Sequence, residues 1–265
     1  MPEGELVAGV TSLAGEIYVL RWKWQDQVEV YDVVSYRLLR CLTVPNCRVF
    51  ADMTSCEHHH CVYIADPYVY ESVHRLDAQG AATLWPVDDQ PSGLSVNAVR
   101  NVLVTCRDVG KIKEFTTHGN VVREVRLPGD VVNPYHSLQS VCGLFFVCHG
   151  HRGDAVHGVC AVTSDGRRVV HSFGGPRGSD AGQCNMPRHL AADRDESVLF
   201  ADRNNRRVTL LSATLDYVRH AVPSAELNGE PFKLFIDTQR RRLYVASDEW
   251  KDGKYTTGRV IVFSV

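Results

Sequence analysis

The chain has no apolar run near the roughly 18 residues needed to cross a bilayer, and Met1-Pro2-Glu3-Gly4-Glu5 lacks the positive start and apolar stretch of a secretory signal. A location inside the cell, in the cytoplasm, is expected. Nine cysteines occur, an odd number with no CxxC pair, so neither a disulfide framework nor a zinc ribbon is indicated. Several sit in apolar runs, such as Cys106 and Cys148, where a reduced thiol behaves as a small hydrophobe. Charge of one sign is also missing: 29 Lys+Arg against 31 Asp+Glu excludes a globally basic nucleic-acid binder while leaving local patches open. Apolar residues at the helical period never extend to helical length, and the glycine-rich stretch Gly174–Gly182 has neither a following helix nor the Lys-Ser/Thr of a phosphate loop, so it reads as a mobile loop.

What the sequence does hold is a repeat. A short strand signal recurs at Tyr18-Val19-Leu20-Arg21, Tyr63-Ile64-Ala65-Asp66, Leu103-Val104-Thr105-Cys106, Phe146-Val147-Cys148-His149, Leu199-Phe200-Ala201-Asp202 and Tyr244-Val245-Ala246-Ser247, with starts 45, 40, 43, 53 and 45 residues apart. A second column follows each copy, as in Val73-x-x-Leu76-Asp77 and Val208-x-x-Leu211-Ser212. A small-residue and apolar run precedes each first column, and a fourth run closes most units. Four short strands per unit, split by Gly, Asn, Asp and Pro, give a four-stranded meander. Such a unit buries both faces only by packing against its neighbours. Six units fill the chain, and the fold expected is an all-β six-bladed β-propeller in one domain, with blades near 6–45, 46–89, 90–130, 131–182, 183–226 and 227–265. Seven blades of the WD type are a poorer fit, lacking both a seventh anchor and Gly-His or Trp-Asp signatures.

The fifth unit is the most specific. Asn185-Met186-Pro187-Arg188-His189-Leu190, then Leu199-Phe200-Ala201-Asp202-Arg203-Asn204-Asn205-Arg206-Arg207-Val208, resembles an NHL repeat, strongly in this blade and weakly in the other five. Asp202 and Arg207 are expected to tie the hairpin between second and third strands, with Asn205 in a left-handed turn position. The last unit stops at its third strand, Arg259-Val260-Ile261-Val262-Phe263. Either the N-terminus supplies the missing outer strand, or the chain is a piece of a longer protein. The resemblance to NHL domains of tripartite-motif proteins, which often follow RING, B-box and coiled-coil segments, makes the second reading reasonable.

In such a propeller the inner strand starts on the face to which the second-to-third-strand loop returns. The inner-strand starts are Val7, Asp52, Ser92, Tyr135, Arg188 and Lys233. Six-bladed relatives include peptide-amidating lyases and gluconolactonase-type enzymes that hold a metal at this level. Of the six starts only Asp52 is a metal-ligand type, and His136 and His189 are each one residue out of register, so no central metal and no cofactor are expected. Cys56-Glu57-His58-His59-His60-Cys61 reads as a solvated turn on the opposite face, and His149, His151 and His157 as a second histidine group in a flexible loop. The loops of the candidate face interleave aromatic and basic residues. The expected ligand-binding residues are Trp22, Trp24, Arg48, Tyr68, Tyr135, His136, Arg188, His189, Arg203, Lys233 and Trp250. With anchors plentiful and convergent catalytic groups few, the function expected is non-enzymatic binding of a protein or peptide partner. Single-stranded RNA binding by the same face and a metal-dependent lyase or lactonase are the alternatives.

Overall fold

The structure is a computed structural model that describes residues 6–22, 27–45, 50–227, 229–251 and 254–265. The four runs of each unit become antiparallel strands. Blade one holds β1 (Leu6–Leu13), β2 (Glu16–Trp22), β3 (Gln27–Asp32) and β4 (Leu38–Thr43), and blade two holds β5 (Asp52–Cys56), β6 (Cys61–Asp66), β7 (Ser72–Asp77) and β8 (Ala82–Pro86). Blade three holds β9 (Pro91–Val96), β10 (Val102–Cys106), β11 (Lys111–Phe115) and β12 (Val121–Arg126), and blade four holds β13 (Pro134–Gln139), β14 (Phe145–His149), β15 (Val156–Val162) and β16 (Val169–Pro176). Blade five holds β17 (Pro187–Ala192), β18 (Val198–Asp202), β19 (Arg207–Leu211) and β20 (Tyr217–Val222), and blade six holds β21 (Glu230–Asp237), β22 (Arg242–Lys251) and β23 (Lys254–Ser264). The protein is thus a six-bladed β-propeller of sequential meanders. Helix among the described residues is confined to two 3-10 turns, Arg203–Asn205 and Ser224–Glu226, and no helix is long and apolar enough to cross a membrane.

Burial follows strand position. The second strands β6, β10, β14 and β18 are buried along their whole length because each lies mid-sheet between two neighbouring blades. Fourth strands carry a single buried or part-buried anchor in an otherwise exposed pattern, as in β8, where only Trp85 is buried. The core is therefore a ring of six interfaces, one between each pair of adjacent blades. Blade six closes the ring by packing face to face on blade one, with β21 against β1. The first described strand is blade one's inner strand, so the residues from Leu6 onward do not complete blade six.

The blade-five motif is a built hydrogen-bond knot. Asp202, fully buried, accepts from Arg207 Nε at 2.8 Å and Asn205 Nδ2 at 2.9 Å on one oxygen and from the Asn185 amide at 2.7 Å on the other. Arg207 also donates to the carbonyls of Ser179 and Gln183, and Asn205 to that of Gly178. The long glycine-rich exit of blade four, expected as a mobile loop, is therefore pinned, and Gly174 to Pro176 extend β16 against β15. The left-handed residue is Arg206, at φ 52°, and not Asn205, which lies in the 3-10 turn. In blade two the equivalent Asp66 accepts from the amides of Tyr68 and Val69, with His74 at 3.7 Å in the arginine's place.

Asp202→Ala strands Arg207 and frees the Asn185 amide. The expected loss is about 3 kcal/mol of unfolding free energy, with early unlocking of the 177–184 segment. Urea midpoints together with hydrogen exchange over that segment measure both.

Candidate functional site

The six inner strands line the axis, and all but β5, which pairs with β6 without a shift, begin with an irregularity; that of β9 falls opposite Thr105 and Cys106. Register shifts fall between Val7 and Gly9, Pro134 and His136, Pro187 and Leu190, and Pro231 and Lys233. A bulge inserts one residue without a partner and reverses which way the following side chains point. Two-residue alternation from the strand start therefore fails here, and His136 and His189, expected out of register, converge with Asp52. Their ligand-type atoms lie within 4.8 Å of one another, all buried. This corrects the expectation of non-convergence. Gly93 makes the approach possible: a Cβ there would lie 2.4 Å from the Tyr135 carbonyl oxygen and 2.9 Å from His136 Cα.

Asp52 is the hub of this cluster. One carboxylate oxygen accepts from the Leu94 amide at 2.8 Å, and the other faces Lys233 Nζ at 2.9 Å and His189 Nε2 at 3.4 Å. Burial pushes this carboxyl up, but Lys233 and then His189 outweigh it and hold it well below the usual carboxylate range. The two imidazoles stack at 3.8 Å between centroids. His136 Nε2 donates to the Leu94 carbonyl at 2.9 Å while its Nδ1 accepts from the Leu190 amide, and His189 Nδ1 accepts from the Leu234 amide. Both rings are therefore neutral with the proton on Nε2. Burial drives both below the ordinary histidine range, His136 well below it; the His189 ring and Lys233 add to the effect at His136, and Lys233 does so at His189, while Asp52 opposes it at both. In this arrangement the Nε2 lone pairs are not offered to an ion, and the Lys233 ammonium occupies the cation position beside Asp52. The Asp52, His136 and His189 trio would suit a divalent cation only after Lys233 withdrew and both tautomers changed.

Above the cluster, at the channel mouth, lies a cavity of about 250 Å³. Its wall includes Tyr68, Arg107, Tyr135, Arg188, Arg203 and Phe232, with Lys233 and Asp248 also lining it. The Arg188 guanidinium carbon sits 3.7 Å from the centroid of the Tyr135 ring. Tyr135 Oη is hydrogen-bonded to His151 Nδ1 and meets Arg107 at 3.5 Å, so the stacking platform is fixed from behind. Arg203 pairs with Glu230 at 2.9 Å, Arg107 with Asp108 at 2.9 Å and Lys233 with Asp52. Among the described residues no carboxylate pairs with Arg188, and burial pushes it down to about 10. Asp248 is buried with Oδ1 unpartnered, and burial raises its carboxyl to about 6.

Of the expected face residues, Tyr68, Tyr135, Arg188, Arg203 and Lys233 are brought together around this cavity. His136 and His189 lie beneath it in the buried cluster. Lys233, expected as a ligand-binding residue at a strand start, is 4% exposed and structural as well as cavity-lining. Trp22 and Trp250 fall in β2 and β22, with side chains outside the described set, and Trp24 and Arg48 lie outside the described residues. Arg107, Phe232 and Asp248 were not anticipated. Phe232 could have been found from its place beside Lys233, whereas Asp248 falls one residue past the recurring strand signal. The other histidines do not form a metal group among the described residues: His157 donates to the His151 carbonyl and accepts from the Met186 amide, and His59 Nδ1 faces Cys56 Sγ at 3.3 Å. Described cysteines are free thiols, buried except Cys41 and Cys142.

The sequence matches no family model and no curated protein. The fold is similar to solved propellers of low sequence identity. A hydrazine synthase structure from Kuenenia stuttgartiensis aligns at TM-score 0.68 and 14% identity, over 98% of this chain and 95% of that one. The virginiamycin B lyase of Staphylococcus aureus aligns at 0.64 and 11%, over 100% and 88%. The Cps50 (Swd1) β-propeller domain of Myceliophteria thermophila aligns at 0.62 and 11%, over 98% and 83%. Identity this low establishes the propeller architecture and leaves function to the site.

Lys233→Met strands the Asp52 charge and should cost about 3–5 kcal/mol, while adding Asp52→Asn to it recovers most of the loss. Chemical denaturation of the two single variants and the double variant measures the coupling. For pH, burial lowers His149 to about 4, so its contribution is complete above pH 6.5 and is lost as pH falls towards 4. Asp248 acts in the opposite sense, because a raised carboxyl costs stability at pH 7 and regains it on protonation below about 6. Asp248→Asn is therefore expected to stabilise by about 2 kcal/mol at pH 7, with no gain at pH 4 and a steeper acid loss than wild type. Melting curves at the two pH values test this.

Proposed function

We propose that the protein is a non-enzymatic interaction module that binds a protein or peptide partner at the channel mouth, with an acidic group of the partner received by Arg188. The observation that carries this reading is the Arg188 guanidinium, stacked on Tyr135 inside a concave aromatic site and without a carboxylate partner among the described residues. A planar cation with free donors on a rigid ring is suited to a carboxylate, and Arg and Tyr are residue types that carry binding energy at interfaces. Asp248, kept in the same wall at a cost to stability, supports a recognition role for that wall. The blade-five likeness to NHL repeats fits a binding module as well. The metal-dependent lyase or lactonase reading has the trio Asp52, His136 and His189 in its favour, but the proton positions and Lys233 stand against it.

Selection of random heptapeptides on the immobilised chain should enrich sequences with Asp, Glu or a free C-terminus. Arg188→Ala is expected to weaken the selected peptides at least tenfold, about 1.4 kcal/mol or more, without shifting the melting temperature downward. Equal peptide affinity in wild type and Arg188→Ala would sink this reading. Tight binding of a single-stranded RNA pool that weakens steeply between about 50 and 200 mM salt would put RNA in its place.

A further inference from the structure

Every complete blade uses its fourth strand in the same way: one apolar side chain turns towards the next blade and seals the interface. Leu42 of β4 packs with Met53, Val62 and Leu76 of blade two, and Trp85 of β8 packs with Leu94 and Phe115 of blade three. Val125 of β12 meets Phe145 and Val162, Phe173 of β16 meets Phe200, and Val222 of β20 meets Leu234 and Val245. Blade six has no fourth strand among the described residues, so its interface with blade one receives no such anchor. At that position lies a cavity of about 290 Å³ lined by Ile17, Val19, Arg21, Tyr31 and Tyr36 of blade one and Tyr244, Val260 and Val262 of blade six, with Arg21 held by Glu29 and the Gly258 carbonyl. The Tyr244 hydroxyl there is buried on the side of Tyr36 and makes no close hydrogen bond among the described residues.

The blade-five side of blade six, at the end of the sheet where Val265 follows β23, has a different character. A cavity of about 350 Å³ between blades five and six is bordered by Arg194, Arg219 and Arg241, for which no carboxylate partner exists among the described residues. Asp193 and Asp195 also border it, but Asp193 is engaged by the amides of Asp195 and Ser197 in its own turn. Arg194 donates to Thr238 and Arg241 to the Val265 carbonyl, while Arg219 is exposed. Blades one and five each extend one strand, about 4.8 Å, beyond β23. The edge therefore sits in a notch one strand wide, which admits a single extended segment and not the edge of a second propeller.

We infer that β23 is a strand-addition site, where an extended segment of a partner protein pairs antiparallel as the fourth strand of blade six. Side chains alternate across a strand, so the segment places apolar residues in the cavity beside Tyr244 and acidic residues towards Arg219 and its neighbours. An alternating acidic and apolar sequence is the chemistry that the notch selects. The site is separate from the channel mouth and does not depend on the reading given to Arg188.

The test uses a fluorescein-labelled nonapeptide alternating glutamate with valine around a central leucine, and the same peptide N-methylated at every second backbone nitrogen. Polarisation should show saturable binding of the first, with at least tenfold loss for one of the two possible N-methylation registers. Val262→Trp, which fills the cavity, should cost at least tenfold, and Arg219→Glu, on the surface, should weaken binding in a salt-dependent way. Hydrogen exchange should find the outer amides of Gly258 to Ser264 open in the free protein and protected by the peptide. Binding indifferent to both N-methylation registers and to Arg219→Glu would overturn the inference. So would prior protection of those amides, at monomer mass if other residues of the chain cover the edge, or at doubled mass if a second copy does.

Discussion

One carboxylate ties most of this ring together. Asp52 belongs to blade two, yet it accepts from the Leu94 amide of blade three and faces His136 of blade four, His189 of blade five and Lys233 of blade six. A propeller's blades otherwise meet through apolar faces that fix distance but tolerate sliding. A buried charge shared among five blades has a single low-energy geometry, because any displacement leaves it short of a donor in a poorly solvating interior. Such a network contributes specificity more than net stability, since the desolvation of Asp52 and Lys233 offsets much of their attraction.

That network also decides what kind of site the channel mouth can be. By placing an ammonium against Asp52 and using both imidazoles as main-chain caps, the structure commits the axial polar groups to holding inner strands in register. The cavity above then contains cations, aromatics and the carboxyls of Asp108 and Asp248, with Arg188 the guanidinium that no carboxylate pairs among the described residues. Cationic and aromatic groups are therefore concentrated on the mouth, and structural chemistry lies one layer below.

A second consequence of the ring is its unequal seam. Five interfaces are sealed by an apolar residue from an outer strand, and the sixth, between blades six and one, is closed by the inner and middle strands alone among the described residues. The seam keeps a polar hydroxyl and an unfilled volume at its outer end. A sheet edge of this kind needs either charges or a partner to keep it from promiscuous pairing, and among the described residues Arg259 with Glu249 supplies one such pair.

Much of the architecture was legible because strand repeats depend on local features: apolar pairs at period two, small residues before them and turn residues after them. The spacing of the Tyr18, Tyr63, Leu103, Phe146, Leu199 and Tyr244 anchors was enough to count blades, and the pairing of Asp202 with Arg207 followed from charge and spacing inside one hairpin. The axial cluster was not legible, because a bulge such as that between Pro134 and His136 leaves no local signature yet reverses side-chain direction for the rest of the strand. Asp248 and the cavity beside Tyr244 were invisible for a related reason. Each owes its character to groups more than a hundred residues away, brought close only when the last blade meets the first. Periodicity along the chain thus determined the blades and their order, whereas ring closure and strand bulges decided which polar side chains meet at the axis, which are spent on one another, and which remain for a ligand.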